Sequence, residues 1–114
     1  MVLLIFNSNF SYTKSINCDI NNYKLYNSRS AAYIHLRQYE LALKDAEKCL
    51  QLKPTYDKGY INKGKSLSCL SHLNEASNCL LEAYRLKKRN ETLEMISTLK
   101  TRYIFQPSNI IGNI

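Results

Sequence analysis

The sequence predicts an all-α fold: antiparallel helix pairs stacked as a solenoid, about two and a half repeats with a capping helix at the C-terminal end. Three observations carry this. First, the chain matches itself when displaced by 34 residues, a period of helical repeat arrays: Lys24 falls on Lys58, Tyr26 on Tyr60, Leu36 on Leu70, Ala42 on Ala76 and Leu52 on Leu86. Second, apolar residues within each unit recur at i, i+3, i+4 and i+7, the spacing of one face of a helix. Third, the 114 residues include only 3 Gly and 2 Pro, too few turn residues for a sandwich or barrel with many hairpins.

The elements follow in order. Residues 1–22 read as the second helix of an incomplete pair, because Lys14 falls on Lys48 and Ile16 on Leu50. Phe10, Tyr12 and Ile16 are its matched apolar sites. The first full repeat spans 23–56. Tyr26, Arg29, Ser30, Tyr33 and Leu36 mark its first helix, Arg37-Gln38 a short break, and Tyr39, Ala42, Leu43, Ala46, Cys49 and Leu50 its second. Pro54 stands just past that stripe, where a helix ends. The second full repeat spans 57–90, with Tyr60, Gly64, Leu67 and Leu70 on its first helix and Ala76, Leu80, Ala83 and Tyr84 on its second. Small residues recur at matched sites, Ser30 with Gly64, Ala42 with Ala76 and Cys49 with Ala83, where paired helices must approach closely. Asn90 reads as an N-cap, Glu91 and Glu94 suit the first turn, and Leu93, Ile96 and Leu99 keep helical spacing. Residues 90–103 are therefore expected to cap the solenoid, as the last unit of a repeat array must. Together 1–103 form one domain, and 104–114 lack periodicity and read as a loose tail.

Composition narrows the function classes. Hydrophobic residues make up 45% and charged residues 22%, as in a soluble globular chain. The net charge of +7 favours acidic partners without choosing among them, and no long basic arm is present to single out nucleic acid. Cys18, Cys49, Cys69 and Cys79 lack metal-ligand spacing, so no zinc site is signalled. They read as four reduced thiols packed as small hydrophobes. Met1–Phe6 has no positive leader and is too short an apolar run for a signal peptide or a membrane span, so a cytoplasmic location is expected. Gly59–Ser66 matches the phosphate-loop pattern G-x-x-x-x-G-K-S, but it falls inside a repeat helix with no strand before it. His35 and His72 have no Ser, Cys or Asp partner at catalytic spacing. Most of the tyrosines, Tyr26, Tyr33, Tyr39 and Tyr60 among them, sit at repeat-core positions, and Arg85–Arg89 is a basic helix end. The chain is thus expected to be no enzyme, with no cofactor and no metal.

The pattern Tyr26, Ser30, Tyr33, Tyr39, Ala42 and Pro54, repeated as Tyr60, Gly64, Leu67, Ala76 and Ala83, resembles the tetratricopeptide repeat. Residues 25–33, Leu-Tyr-Asn-Ser-Arg-Ser-Ala-Ala-Tyr, together with Leu52-Lys53-Pro54 and Asp57-Lys58-Gly59-Tyr60, resemble co-chaperone modules of the stress-inducible phosphoprotein and Hsp-organising protein kind. The resemblance covers residues 8–103. It implies a protein-interaction module whose groove holds the C-terminal carboxylate of an acidic chaperone tail ending in Glu-Glu-Val-Asp. Two carboxylates one residue apart need several converging donors, and charge-assisted hydrogen bonds are the strong ones.

Position by position, Lys58 keeps one residue of that clamp. Asn62 stands where the family has Arg, and Ser28 where it has Asn. The two remaining positions would lie before Met1. Lys58, Asn62 and Lys65 share a helical face, Lys24 stands at the matched site one repeat earlier, and Ile61 is expected to add apolar contact. These six residues are the candidate peptide-binding set. Three ways of covering the unpaired first helix stay open: Val2–Phe6 folding back over it, another chain or copy, or chain preceding Met1. A second reading therefore keeps the fold and drops the clamp: a scaffold for a non-chaperone protein, or one that self-associates through its N-terminal face.

Overall fold

The computed structural model describes the backbone of residues 2–104 and the side chains of residues 10–101. Every regular element within them is a helix. The order is α1 (Val2–Cys18), α2 (Tyr23–His35), α3 (Tyr39–Leu52), α4 (Asp57–Cys69), α5 (Leu73–Leu86) and α6 (Asn90–Ile104). α2 with α3, and α4 with α5, are the two helix pairs, and the array is elongated, 54 × 30 × 22 Å.

The break inside each pair has one cause, used twice. Leu36 ends α2, and Arg37 follows with φ 60°; Leu70 ends α4, and Ser71 follows with φ 68°. After each helix two backbone bonds close the last turn. Gln38 N–H donates to Tyr33 C=O at 2.9 Å and Arg37 N–H to Ile34 C=O at 3.0 Å; His72 N–H donates to Leu67 C=O at 2.9 Å and Ser71 N–H to Ser68 C=O at 3.1 Å. This is the Schellman arrangement, which satisfies carbonyls that the helix itself leaves open and turns the chain back on itself. Glycine is the usual residue at the left-handed position, and here both repeats use a residue with a side chain.

The turned-back helices then meet at small residues. Ser30 is fully buried and its hydroxyl donates to Ala42 C=O at 2.7 Å. One repeat later Gly64 faces Ala76: a Cβ there would stand 3.3 Å from Ala76 O and 3.0 Å from Leu80 Cδ2. Ala42, Ala46, Cys49, Ala76 and Ala83 are all 0% exposed, so the second helix of each pair lies against the first with no room for larger side chains. Two apolar clusters result. Ile16, Tyr26 and Cys49 join α1, α2 and α3, with Tyr23 set edge-on to Tyr56 at 4.9 Å. Leu67, Leu73, Leu80, Ile96 and Leu99 join α4, α5 and α6.

Ion pairs tie the layers. Arg29 reaches Asp45 with two hydrogen bonds of 2.6 and 2.8 Å and contacts the Thr13 hydroxyl at 3.4 Å, linking α1, α2 and α3. Its guanidinium lies 5.9 Å from the centre of the Tyr26 ring and 5.7 Å from that of Tyr33. The hydrogen bond to Asp45 raises the Arg29 pKa above its ordinary value, against the opposing effect of burial. Arg89 binds Asp57 at 3.0 Å, joining the start of α6 to the start of α4.

Several expectations change. Val2–Phe6 continues α1 rather than folding back. Phe10, read as a matched apolar site, is 63% exposed, whereas Ile16 is buried. Asn90 is the first residue of α6, not the residue before it. Cys49 and Cys79 are buried, but Cys18 and Cys69 are exposed, so only two of the four thiols pack as hydrophobes. Residues 105–114, expected as a tail, lie outside the described residues, and Ile104 still belongs to α6.

Two measurements of urea unfolding follow. Ser71→Gly relieves the left-handed backbone and raises stability by about 1 kcal/mol, seen as a higher midpoint at unchanged slope. Gly64→Leu forces a side chain into Leu80 and the Ala76 carbonyl and lowers stability by about 1–3 kcal/mol. An unchanged midpoint for Gly64→Leu contradicts the close approach.

Candidate binding groove

α2, α4 and α6 contribute to one open face. α2 and α4 are joined there by a side-chain bridge: Asn62 Nδ2 donates to Asn27 C=O at 3.1 Å and to Asn27 Oδ1 at 2.8 Å. Between α4 and α6 lies a pocket of about 480 Å³, floored by Leu80 of α5 and lined by Gly64, Lys65, Cys69, Met95 and Leu99. Ile34 closes it from α2, and Glu91 and Glu94 stand on its rim.

The six residues expected to bind peptide divide here. Lys24, Lys58 and Lys65 are exposed, and Ser28 is partly exposed. None of the three lysines makes an ion pair with a described residue. Lys24 and Lys58 occupy the second position of α2 and α4. There the orphan N–H groups and the helix dipole already concentrate positive charge. A cation at that end is unfavourable for the helix and favourable for an anion bound beside it. Lys65 stands two turns further along α4, on the wall of the pocket.

Asn62 and Ile61 differ from the other four in being buried. Asn62 is 8% exposed, and its amide nitrogen donates to both Asn27 C=O and Asn27 Oδ1. This amide therefore ties α4 to α2. Ile61 is 7% exposed and packs inside the array. Asn27, which the sequence does not single out, is the residue that receives Asn62. Its only signal was its place beside Ser28, one residue short of the 34-residue match to Asn62.

Other chemistry is distant or lacking among the described residues. The octet Gly59–Ser66 lies wholly within α4. Its Gly64 faces Leu80, and the hydroxyl of its Ser66 donates to Asn62 C=O at 2.9 Å. Burial pushes the Cys49 thiol up to about 11 and raises that of Cys79, so both are neutral thiols at physiological pH. No group of three His, Cys, Asp or Glu side chains is placed to hold a metal among the described residues. No helix among them is long and apolar enough to cross a membrane.

Comparisons with known proteins agree with this geometry. A family model described as a tetratricopeptide repeat matches residues 11–44. The heat shock protein sti1 homolog of Schizosaccharomyces pombe is 38% identical over 90 residues, which is 79% of this chain and 15% of that protein. The chain thus spans about 15% of the length of that relative. Among solved structures, the second TPR domain of human RPAP3, in complex with the HSP70 peptide SGPTIEEVD, superposes with a TM-score of 0.79 at 27% identity, covering 84% of this chain and 81% of that one. The first TPR domain of Spaghetti (RPAP3), bound to the HSP90 peptide SRMEEVD, superposes with a TM-score of 0.83 at 23% identity, covering 86% and 79%. The chain is a tetratricopeptide-repeat protein. Within that class it is similar to the co-chaperone type, of which the sti1 homologs are the relatives it matches.

The Asn62–Asn27 bridge is directly testable. Asn62→Ala removes two inter-helix hydrogen bonds and lowers stability by about 1–2 kcal/mol in urea unfolding, with helix content by circular dichroism unchanged. A neutral result contradicts a structural role for this amide.

Proposed function

We propose that this chain is a non-enzymatic, cytoplasmic co-chaperone adaptor whose groove holds the acidic C-terminal tail of a heat-shock chaperone. The observation that carries the reading is the placement of Lys24 and Lys58. They stand 34 residues apart, exposed and without an ion-pair partner among the described residues, in the first turns of α2 and α4, the first helices of successive repeats. A carboxylate lying across these two helix ends receives two ammonium groups and the helix N-termini together. Ser28 is an additional single donor on α2, and Lys65 extends the positive surface along α4. The 27% identical RPAP3 domain, whose structure contains a peptide ending in Glu-Glu-Val-Asp, supports the same class of ligand.

The set is leaner than the clamp of the family it resembles. Without an Arg at position 62, the site relies on fewer charged contacts, and a lost charged donor in a buried pair is worth about 2–5 kcal/mol. Affinity is therefore weak, and the interaction is dominated by exposed charges that salt screens.

Fluorescence anisotropy with labelled SGPTIEEVD tests this. The free-acid peptide binds, and amidation of its C-terminus weakens binding at least about tenfold. Lys58→Ala weakens it by a similar factor, and raising the salt weakens it further. Equal affinity for the acid and the amide rules out carboxylate recognition.

A further inference from the structure

We propose that the edge of the array formed by the α1–α2, α3–α4 and α5–α6 connections docks on an anionic lipid surface, through five lysines and Ile20.

The order of helices brings these connections together. Short connections send each helix back along the one before it, so every second connection returns to the same edge. α1 ends at Cys18 and α2 starts at Tyr23, α3 ends at Leu52 and α4 starts at Asp57, and α5 ends at Leu86 and α6 starts at Asn90. Two contacts join them directly. Tyr23 meets Tyr56 with ring centres 4.9 Å apart, and Arg89 binds Asp57 at 3.0 Å.

Positive charge gathers here. Lys24 and Lys58 are the second residues of α2 and α4, Lys53 and Lys87 follow the last residues of α3 and α5, and Lys88 lies in the α5–α6 connection. All five are exposed, and none makes an ion pair with a described residue. The buried acid of this edge, Asp57, is taken by Arg89, which leaves Asp19 and Glu91 as exposed acids. The turns at the opposite edge carry Arg37 against Glu40 and Glu75. The 13 residues of α4 hold the two edges about 20 Å apart, more than two screening lengths at physiological salt, so the basic edge acts on a partner by itself. Helix stability accounts for part of the set only. Lys53 and Lys87 suit the C-terminal ends of their helices, whereas Lys24 and Lys58 oppose the dipole and Lys88 belongs to neither helix.

An apolar residue and the shape of the edge select the partner. Ile20, in the α1–α2 connection, is 61% exposed on this same edge. None of the five lysines lines the pocket between α4 and α6, so their charge is spread over a surface rather than focused on one anion. Spread cations around an exposed aliphatic side chain suit an anionic bilayer: each lysine is attracted to the headgroups, and the aliphatic group enters the boundary beneath them. Single-stranded nucleic acid asks instead for open aromatic faces, and Tyr23 and Tyr56 are half-buried against one another. Lys24 and Lys58 also serve the peptide reading above; Lys53, Lys87, Lys88 and Ile20 belong to the lipid edge alone.

The test is co-sedimentation of the full chain, at physiological salt, with vesicles of phosphatidylcholine and phosphatidylserine and with vesicles of phosphatidylcholine alone. The protein sediments with the first and stays in solution with the second. Lys87→Ala with Lys88→Ala, in one protein, weakens vesicle binding about tenfold or more, and Ile20→Ser about threefold or more. Lys44→Ala with Lys100→Ala removes the same net charge about 12 Å or more from that edge along α3 and α6, and leaves binding within about twofold. Failure to bind the anionic vesicles, equal binding to both kinds, equal losses from the two double substitutions, or no effect of Ile20→Ser overturns the proposal. A gel shift with single-stranded RNA at the same salt, without vesicle binding, assigns the edge to nucleic acid and overturns it too. Peptide anisotropy is measured without lipid, so failure here leaves the reading of Lys58 intact, and the reverse. The comparison of the two vesicle compositions needs no variant.

Discussion

The close contact of paired helices governs this molecule. Ser30 against the Ala42 carbonyl, and Gly64 against the Ala76 carbonyl and Leu80, are the same contact made 34 residues apart. A side chain of ordinary size at either place would separate the helices. The buried positions beside these contacts, Ala46, Cys49 and Ala83, would then lose their packing partners. The contact also requires that the chain reverse within a few residues. Arg37 and Ser71 accomplish this by adopting left-handed backbone at some energetic cost, about 1–2 kcal/mol each on general grounds.

Once each pair is closed, the pairs can only stack, and stacking creates the open face. Asn62 of α4 clasps Asn27 of α2, and Arg89 clasps Asp57, so that α2, α4 and α6 are held as neighbours in sequence order. The side chains left over on that face include Lys24 and Lys58 at the starts of α2 and α4, and Lys65, Glu91 and Glu94 on the lining of one pocket. Function in this fold is therefore read from what packing does not use. Arg29 shows the contrast. It is a cation with two bonds to Asp45 and the rings of Tyr26 and Tyr33 nearby, and it belongs to the architecture.

The repeat made the helices legible. A 34-residue match records both the apolar stripe and the small residues, so the helix pairs and the seams at Ser30 and Gly64 could be read directly from the residues. Individual polar residues were less legible, because their roles depend on distance across helices. Asn62 matched a ligand-binding position of the family it resembles, yet it is buried against Asn27, a pairing that lies off the repeat register by one residue. Ile61 was ambiguous for a similar reason: an apolar residue beside a clamp site is as easily packing as contact, and in the structure it is buried. Glu91 and Glu94 were visible only as acids in a helix first turn. Their place on a pocket edge emerges once α6 is set beside α4. Phe10 carried the spacing of a core residue but stands exposed on α1, where no helix among the described residues covers it.

The central claim is that peptide lies along the shared face of α2, α4 and α6. The most direct measurement is a two-dimensional NMR titration of the isotope-labelled chain with an unlabelled peptide ending in Glu-Glu-Val-Asp. Amide shifts are predicted to move at Lys24, Ser28, Lys58, Lys65 and Met95, while those around the exposed Leu41 and Leu81 of α3 and α5 stay still. Shifts concentrated on α3 and α5, or confined to α1, would contradict the account.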